Sequence, residues 1–109
     1  MPRLESGLKT PLSEYFLPIL NVLRDGKSHR VEIVYEMVRE QMPQLNAHDF
    51  EELNESSRPE PRWMHTMRVA RYKLVQEGLL APLWEAGHGR WRATERGLSW
   101  LQEATRQVV

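Results

Sequence analysis

The sequence predicts a helix-rich domain closed by a small β-hairpin, and three observations predict it. Apolar residues recur at helical spacing in successive stretches between Leu12 and Gln76. After Gly78 the period changes from 3.6 to two. Apart from Pro18 and Pro82, most proline, glycine and capping residues fall between these stretches rather than inside them. The 109 residues fit one domain, with 40% hydrophobic and 28% charged residues as in an ordinary globular chain.

The elements follow in order. Residues 1 to 11 carry Pro2, Gly7 and Pro11 and read as a flexible arm, which leaves 12 to 109 as the folded domain. Leu12, Phe16, Ile19, Leu20 and Leu23 have helical spacing, and Pro18 forces a kink or a fresh start with proline in the first turn. Asp25-Gly26 ends that helix, and Ser28-His29 is a short extended link. A second helix is expected over about Arg30 to Gln41, with Val31, Val34, Met37 and Val38 on one side and Pro43 as its stop. Asn46 and Asp49 form a short capping box, with Leu45 and Phe50 placed as a staple, so a third helix is expected over 47 to 54. "NESSRPEPR" (54 to 62) is a loop, with Pro61 placed as a first helical residue.

The next helix is expected from about Arg62 to Gln76, stopped by Gly78. Trp63, Met67, Ala70 and Leu74 form one stripe, and His65, Arg68 and Tyr72 fall opposite, flanked by Val69 and Gln76. "LLAPLW" (79 to 84) and "RWRAT" (90 to 94) read as strands joined by "EAGHG", with Pro82 marking an edge or a bulge. In the second strand Trp91 and Ala93 face one way, Arg90 and Arg92 the other. Thr94 caps a last helix to about Gln107, with Leu98, Leu101 and Val108 available for burial.

Charge supplies the functional signal. The net charge is zero, but residues 1 to 57 carry 6 basic and 10 acidic side chains, and residues 58 to 109 carry 9 and 5. The halves are therefore −4 and +4. Between 62 and 96 stand seven basic residues, six of them arginine, the side chain suited to bidentate phosphate and guanine contacts. Solubility is the alternative account of such a split.

A long helix leading straight into a two-stranded hairpin, after shorter helices, is the order of a winged helix-turn-helix. On that reading the recognition helix spans about 62 to 77 and the wing about 79 to 94. "GHGRWRATERG" (87 to 97) then has a purpose. Trp91 anchors the wing from inside, Arg90 and Arg92 face phosphates, and Gly87 and Gly89 allow close approach to double-stranded DNA.

"LPILNVLRDGKSHRVEIV" and "VARYKLVQEGLLAPLWEAGHGRWRATERG" resemble the N-terminal domain of Mrr-type restriction proteins. The matching positions are Pro18, Asp25, Gly26, Ala70, Leu74, Gly78, Leu79, Leu80, Trp91, Thr94 and Gly97, and the similarity covers roughly residues 12 to 101. There are departures: Val69 stands where that family has tryptophan, Thr66 falls where it has arginine, with Arg68 two residues later, and Lys73, beside Tyr72, replaces its tyrosine. The resemblance implies a winged-helix DNA-binding module that precedes a nuclease domain, in systems that cut foreign or modified DNA. A C-terminal or separate nuclease domain is the partner it implies besides duplex DNA, and a homodimer is left open.

The candidate DNA-binding residues are Arg62, His65, Thr66, Arg68, Val69, Tyr72, His88, Arg90 and Arg92. Arg68 is placed to pair with guanine, His65 with a base edge or phosphate and Tyr72 with a phosphate; Arg71 and Arg96 are further phosphate candidates. Trp63 and Trp84 are candidates for base stacking, Trp63 being also a natural core residue. Four to six phosphate contacts would give a slope of log K against log salt of roughly −4 to −5. Catalysis is not expected. His29, His48, His65 and His88 lack metal-ligand spacing, cysteine is absent, and neither a nuclease Asp...Glu-x-Lys pattern nor a phosphate-cradling glycine loop occurs. No cofactor is expected, no apolar run approaches a membrane span, and the N-terminus lacks a signal-peptide core, so the expected location is the cytoplasm.

The rival is a winged helix used for protein contact or dimerisation, through the acidic first half and the Met37 and Met42 face. The arginines discriminate. Convergence of Arg68, Arg90 and Arg92 on one face favours DNA; scattering, or pairing with Glu32, Glu36 and Glu40, favours protein contact.

Overall fold

A computed structural model describes residues 10–53 and 59–108. The arm expected over 1 to 11 lies outside the described residues as far as Lys9. Its last part is tied down: Thr10 is buried, and its backbone N–H and hydroxyl both donate to the buried Asp49 carboxylate at 2.8 Å.

A 3-10 turn at Leu12–Tyr15 runs into α1, Phe16–Val22, with Pro18 in the first turn, where no intrahelical N–H is required of it. The link to the next helix forms β1, His29–Arg30, followed by α2, Val31–Glu40. Asn46 caps α3, Ala47–Phe50, through the expected box: its side chain accepts from His48 N–H, and the Asp49 carboxylate accepts from Asn46 N–H. This helix is shorter than the expected 47 to 54. Glu51 turns to extended backbone, and β2, Glu52–Leu53, pairs antiparallel with β3, Glu60–Pro61. Residues 54–58 of the predicted loop lie outside the described residues; its end joins the two residues before it in a two-strand clasp, closed by Arg62 N–H donating to the Glu51 carbonyl at 2.8 Å.

The helix expected from about Arg62 to Gln76 forms as α4, Arg62–Gln76, with Pro61 just outside it as the N-cap. Trp63, Met67, Ala70 and Leu74 are all buried, as the stripe predicts. They meet Ile19 and Leu20 of α1, Leu23 at its C-cap, and Val34 and Val38 of α2 in one core. Met42 is part of that core and Met37 is exposed, so the two methionines do not form a common surface. Three rings brace the layers: Tyr35 lies 5.8 Å from Trp63 and 5.6 Å from Trp91, tilted and edge-on. Such pairs add about 0.5–1.5 kcal/mol each beyond burial, and this row fixes the wing relative to the start of α4.

The wing departs from the expected hairpin. Only Leu80 bridges Ala93, extended by Ala81 N–H donating to the Arg92 carbonyl and Thr94 N–H to the Leu79 carbonyl. The segment 83 to 86, read above as strand end and turn, is one helical turn, α5, Leu83–Ala86. Pro82 has no N–H for a ladder, and its carbonyl instead accepts from Glu85 and Ala86 N–H. Arg90–Trp91, β4, pairs with β1 instead: His29 faces Trp91 and Arg30 faces Arg90. The turn before it needs φ of +107° at Gly87 and +71° at Gly89, where any other side chain would be strained. Trp91 and Ala93 are buried, as the alternation predicts.

Thr94 begins α6, Glu95–Val108: its hydroxyl accepts from Gly97 N–H at 3.0 Å and donates to the Gly78 carbonyl at 2.6 Å. Leu101 is buried and Leu98 packs against the core, while the Val108 side chain lies outside the described residues. The result is a mainly helical domain with small antiparallel strand pairs, in the element order of a winged helix. Among the described residues no helix is long and apolar enough to cross a membrane.

Candidate nucleic-acid interface

The outward side of α4 and the wing enclose a cleft of about 220 Å³. Arg68 and Arg71 line it from α4, Val31 and Tyr35 from α2, Leu83 from α5, and Gly89, Arg90 and Trp91 from the wing. The helix places Arg68 and Arg71 three residues apart, hence on neighbouring positions of one face. The Arg71 guanidinium carbon lies 5.9 Å from the Trp91 ring centroid, a cation–π distance that holds it over the wing's anchor. Arg90 is exposed, donates from Nη2 to the Ser28 carbonyl at 3.4 Å, and packs its stem against Gly87. The Tyr35 hydroxyl, donating to the Met64 carbonyl, is raised to about 12, mainly by burial. The Arg68 and Arg71 charges oppose this, and the Glu60 charge adds to it.

Arg68 is half exposed and does not stand free. Its Nη1 donates to Glu60 Oε1 at 2.9 Å and its Nη2 lies 2.6 Å from Oε2. His65 Nδ1 is 3.5 Å from Arg68 Nη2 and 3.8 Å from Glu60 Oε2. Val69 and Tyr72 are exposed on the same side of the helix, Tyr72 by 62%. His88 is exposed at the wing's turn. Trp84, on α5 beside the exposed Leu83, has 84% of its surface open, so its ring is available to a ligand.

Other candidates are placed differently. Arg62 turns toward α3, donating from Nε to the His48 carbonyl and pairing with Glu51 at 3.4 Å. The Thr66 hydroxyl donates back to the Arg62 carbonyl within the helix. Arg92 is partly buried and pairs with Glu85 at 3.5 Å. Trp63 is only 2% exposed and stands against Tyr35, so its ring serves the core and cannot stack on a base in this conformation. Arg96 lies elsewhere, on a larger groove of about 960 Å³ between the C-terminal end of α4, α6 and the 3-10 turn.

The arginine criterion gives a divided answer that leans one way. Arg68 and Arg90 converge on the cleft, joined by Arg71; Arg92 pairs locally. Among the described residues none of Arg68, Arg90 and Arg92 pairs with Glu32, Glu36 or Glu40. Two contributors differ in how the sequence presents them: Arg71 is only a further phosphate candidate there, and Glu60 is not a candidate at all. Arg71 had a signal, its spacing of three from Arg68. Glu60 had none, because only the strand pairing of residues 52–53 with 60–61 brings its carboxylate to the helix face.

No curated protein and no solved structure matches the chain. The family model of the Mrr N-terminal domain matches residues 13–103, which spans every element from the 3-10 turn into α6, and the chain therefore belongs to the Mrr N-terminal domain family.

Proposed function

We propose that this domain binds double-stranded DNA, with α4 toward the major groove and the wing over the adjacent backbone. The observation that carries this reading is the convergence of Arg68, Arg71 and Arg90 on one cleft between helix and wing. Arginines from two elements, held at a fixed spacing by the Trp63–Tyr35–Trp91 brace, suit a ligand with regularly spaced anions. Within a restriction system the domain would supply recognition in the cytoplasm, and cutting would fall to a nuclease domain on the same or another chain. Sensing of modified bases is the finer form of this reading. Val69 and Trp84 are its candidate apolar contacts, because both are exposed on the elements that would face DNA.

The test is a titration of duplex DNA against the wild type and the single variants Arg71→Ala and Arg90→Ala. Each loss should weaken binding to all sequences about equally, as expected for phosphate contacts. Wild-type protein that binds no duplex at low salt would remove the reading.

The protein-contact alternative has one observation in its favour. The groove at the C-terminal end of α4 is walled by Leu12, Phe16, Leu79 and Trp100 and rimmed by charges of both signs. Contact with a nuclease domain or a second copy through that groove would be compatible with DNA in the cleft. Sedimentation of wild type and Trp100→Ala, with and without duplex, separates the two uses.

A further inference from the structure

The carboxylate behind the recognition helix is the feature that DNA binding alone leaves unexplained. A protein that needs cations facing phosphates gains nothing from covering one of them with glutamate. Yet Glu60 is built in. Its backbone is fixed by the pairing of Leu53 with Glu60, and its side chain is 19% exposed. Both of its oxygens engage Arg68, at 2.9 and 2.6 Å, and His65 Nδ1 stands 3.8 Å from one of them. The two side chains it holds remain about half exposed, at 50% and 51%.

We infer that Glu60 is a specificity-determining positioning residue, which holds and charge-compensates Arg68 so that its guanidinium reads a base edge in place of a phosphate. This rests on the DNA-binding reading above. A free arginine on a groove-facing helix is drawn to the nearest phosphate, which carries no sequence information. The Glu60 charge weakens that attraction, and its two oxygens restrain the guanidinium in one orientation. Five N–H donors belong to the fork, so donors remain after both Glu60 contacts are made. The N7 and O6 atoms of guanine are a neutral acceptor pair that matches a bidentate arginine and does not require an uncompensated charge. Discrimination gains from the restraint, because less freedom is lost when the correct base is met.

The experiment selects bound sequences from a pool of random duplexes. It also measures the salt dependence of random-duplex binding and the thermal midpoint of each variant. Glu60→Gln keeps the size and removes the charge. It should bind random duplex about tenfold more tightly, steepen the salt slope by about one phosphate contact, and lose about tenfold in enrichment at the preferred base. Glu60→Asp keeps the charge on a shorter arm and should lose enrichment without steepening the slope. In an Arg68→Ala background Glu60→Gln should have neither effect. Tighter binding with the base preference intact would overturn the inference, since Glu60 would then be only a local negative charge. Persistence of both effects in the Arg68→Ala background would overturn it as well. A wild type that binds duplex but enriches no sequence overturns this inference and leaves duplex binding standing. A wild type that binds no duplex removes both.

Discussion

At Gly97 a single methyl group decides whether α6 can dock. A Cβ built there would run into the Leu79 carbonyl, and Leu20 Cδ2 would be 3.3 Å away. The carbonyl cannot retreat easily, because it accepts the Thr94 N–H that closes the wing onto the last helix. Gly97→Ala should therefore destabilise by about 1–3 kcal/mol, through overpacking against backbone rather than through helix propensity, which alone would favour alanine. Thermal unfolding checks this; a raised midpoint would mean that α6 can shift freely. Residue roles of this kind were unevenly legible in the sequence. Trp91 and Trp63 announce themselves as core by size and spacing, and both are buried. The sequence pattern marks Gly97 but not its reason, since the neighbour that excludes a side chain lies 18 residues earlier. The Glu60 contact with Arg68 was equally hidden, because it depends on a strand pairing that no local period reveals.

At the level of elements, α4 was the most legible. A 15-residue helix with four buried positions on one stripe carries a strong periodic signal, and its ends are marked by Pro61 and Gly78. The wing was less so. "LLAPLW" alternates plausibly for a strand, but the proline ends the ladder after Ala81, and the apolar residues beyond it belong to a helical turn that exposes Leu83 and Trp84. The strand partner of Arg90–Trp91 could not be read from the sequence at all, because β1 is two residues of an apparent linker 60 positions away. This rearrangement bears on modified-base sensing. Val69 on α4 and Trp84 on α5 are exposed apolar side chains on the two proposed DNA-facing elements, and covering one methyl is worth only about 0.8 kcal/mol. The expected preference for a methylated duplex over its unmodified twin is therefore less than tenfold, reduced by Val69→Ser or Trp84→Ala. Matched duplexes bound equally would remove modified-base sensing and leave a plain DNA-binding module.

For the whole molecule, the sequence divides into halves of −4 and +4, but folding does not leave the positive half as a uniform basic surface. Among the described residues four of its arginines meet carboxylates: Arg62 meets Glu51, Arg68 meets Glu60, Arg92 meets Glu85 and, away from the cleft, Arg106 meets Glu103. Among the described residues Arg71 and Arg90 have no carboxylate within ion-pair distance, and both line the cleft. Phosphate contacts counted from the arginines alone would be four to six; counted from those free of a carboxylate they are nearer two. At roughly 0.9 per neutralised phosphate, the slope of log K against log salt should then be about −2 rather than −4 to −5. Replacing both Glu60 and Glu85 with glutamine frees two further cations and should carry the slope to about −4. The ion pairs are half-exposed and individually weak, so duplex DNA has the means to break them. A wild-type slope already near −4 would mean that DNA displaces the carboxylates on binding, and the double substitution would then leave the slope unchanged while raising affinity. Salt titrations of the two proteins on the same random duplex distinguish a surface whose cations are held in reserve from one that commits them all.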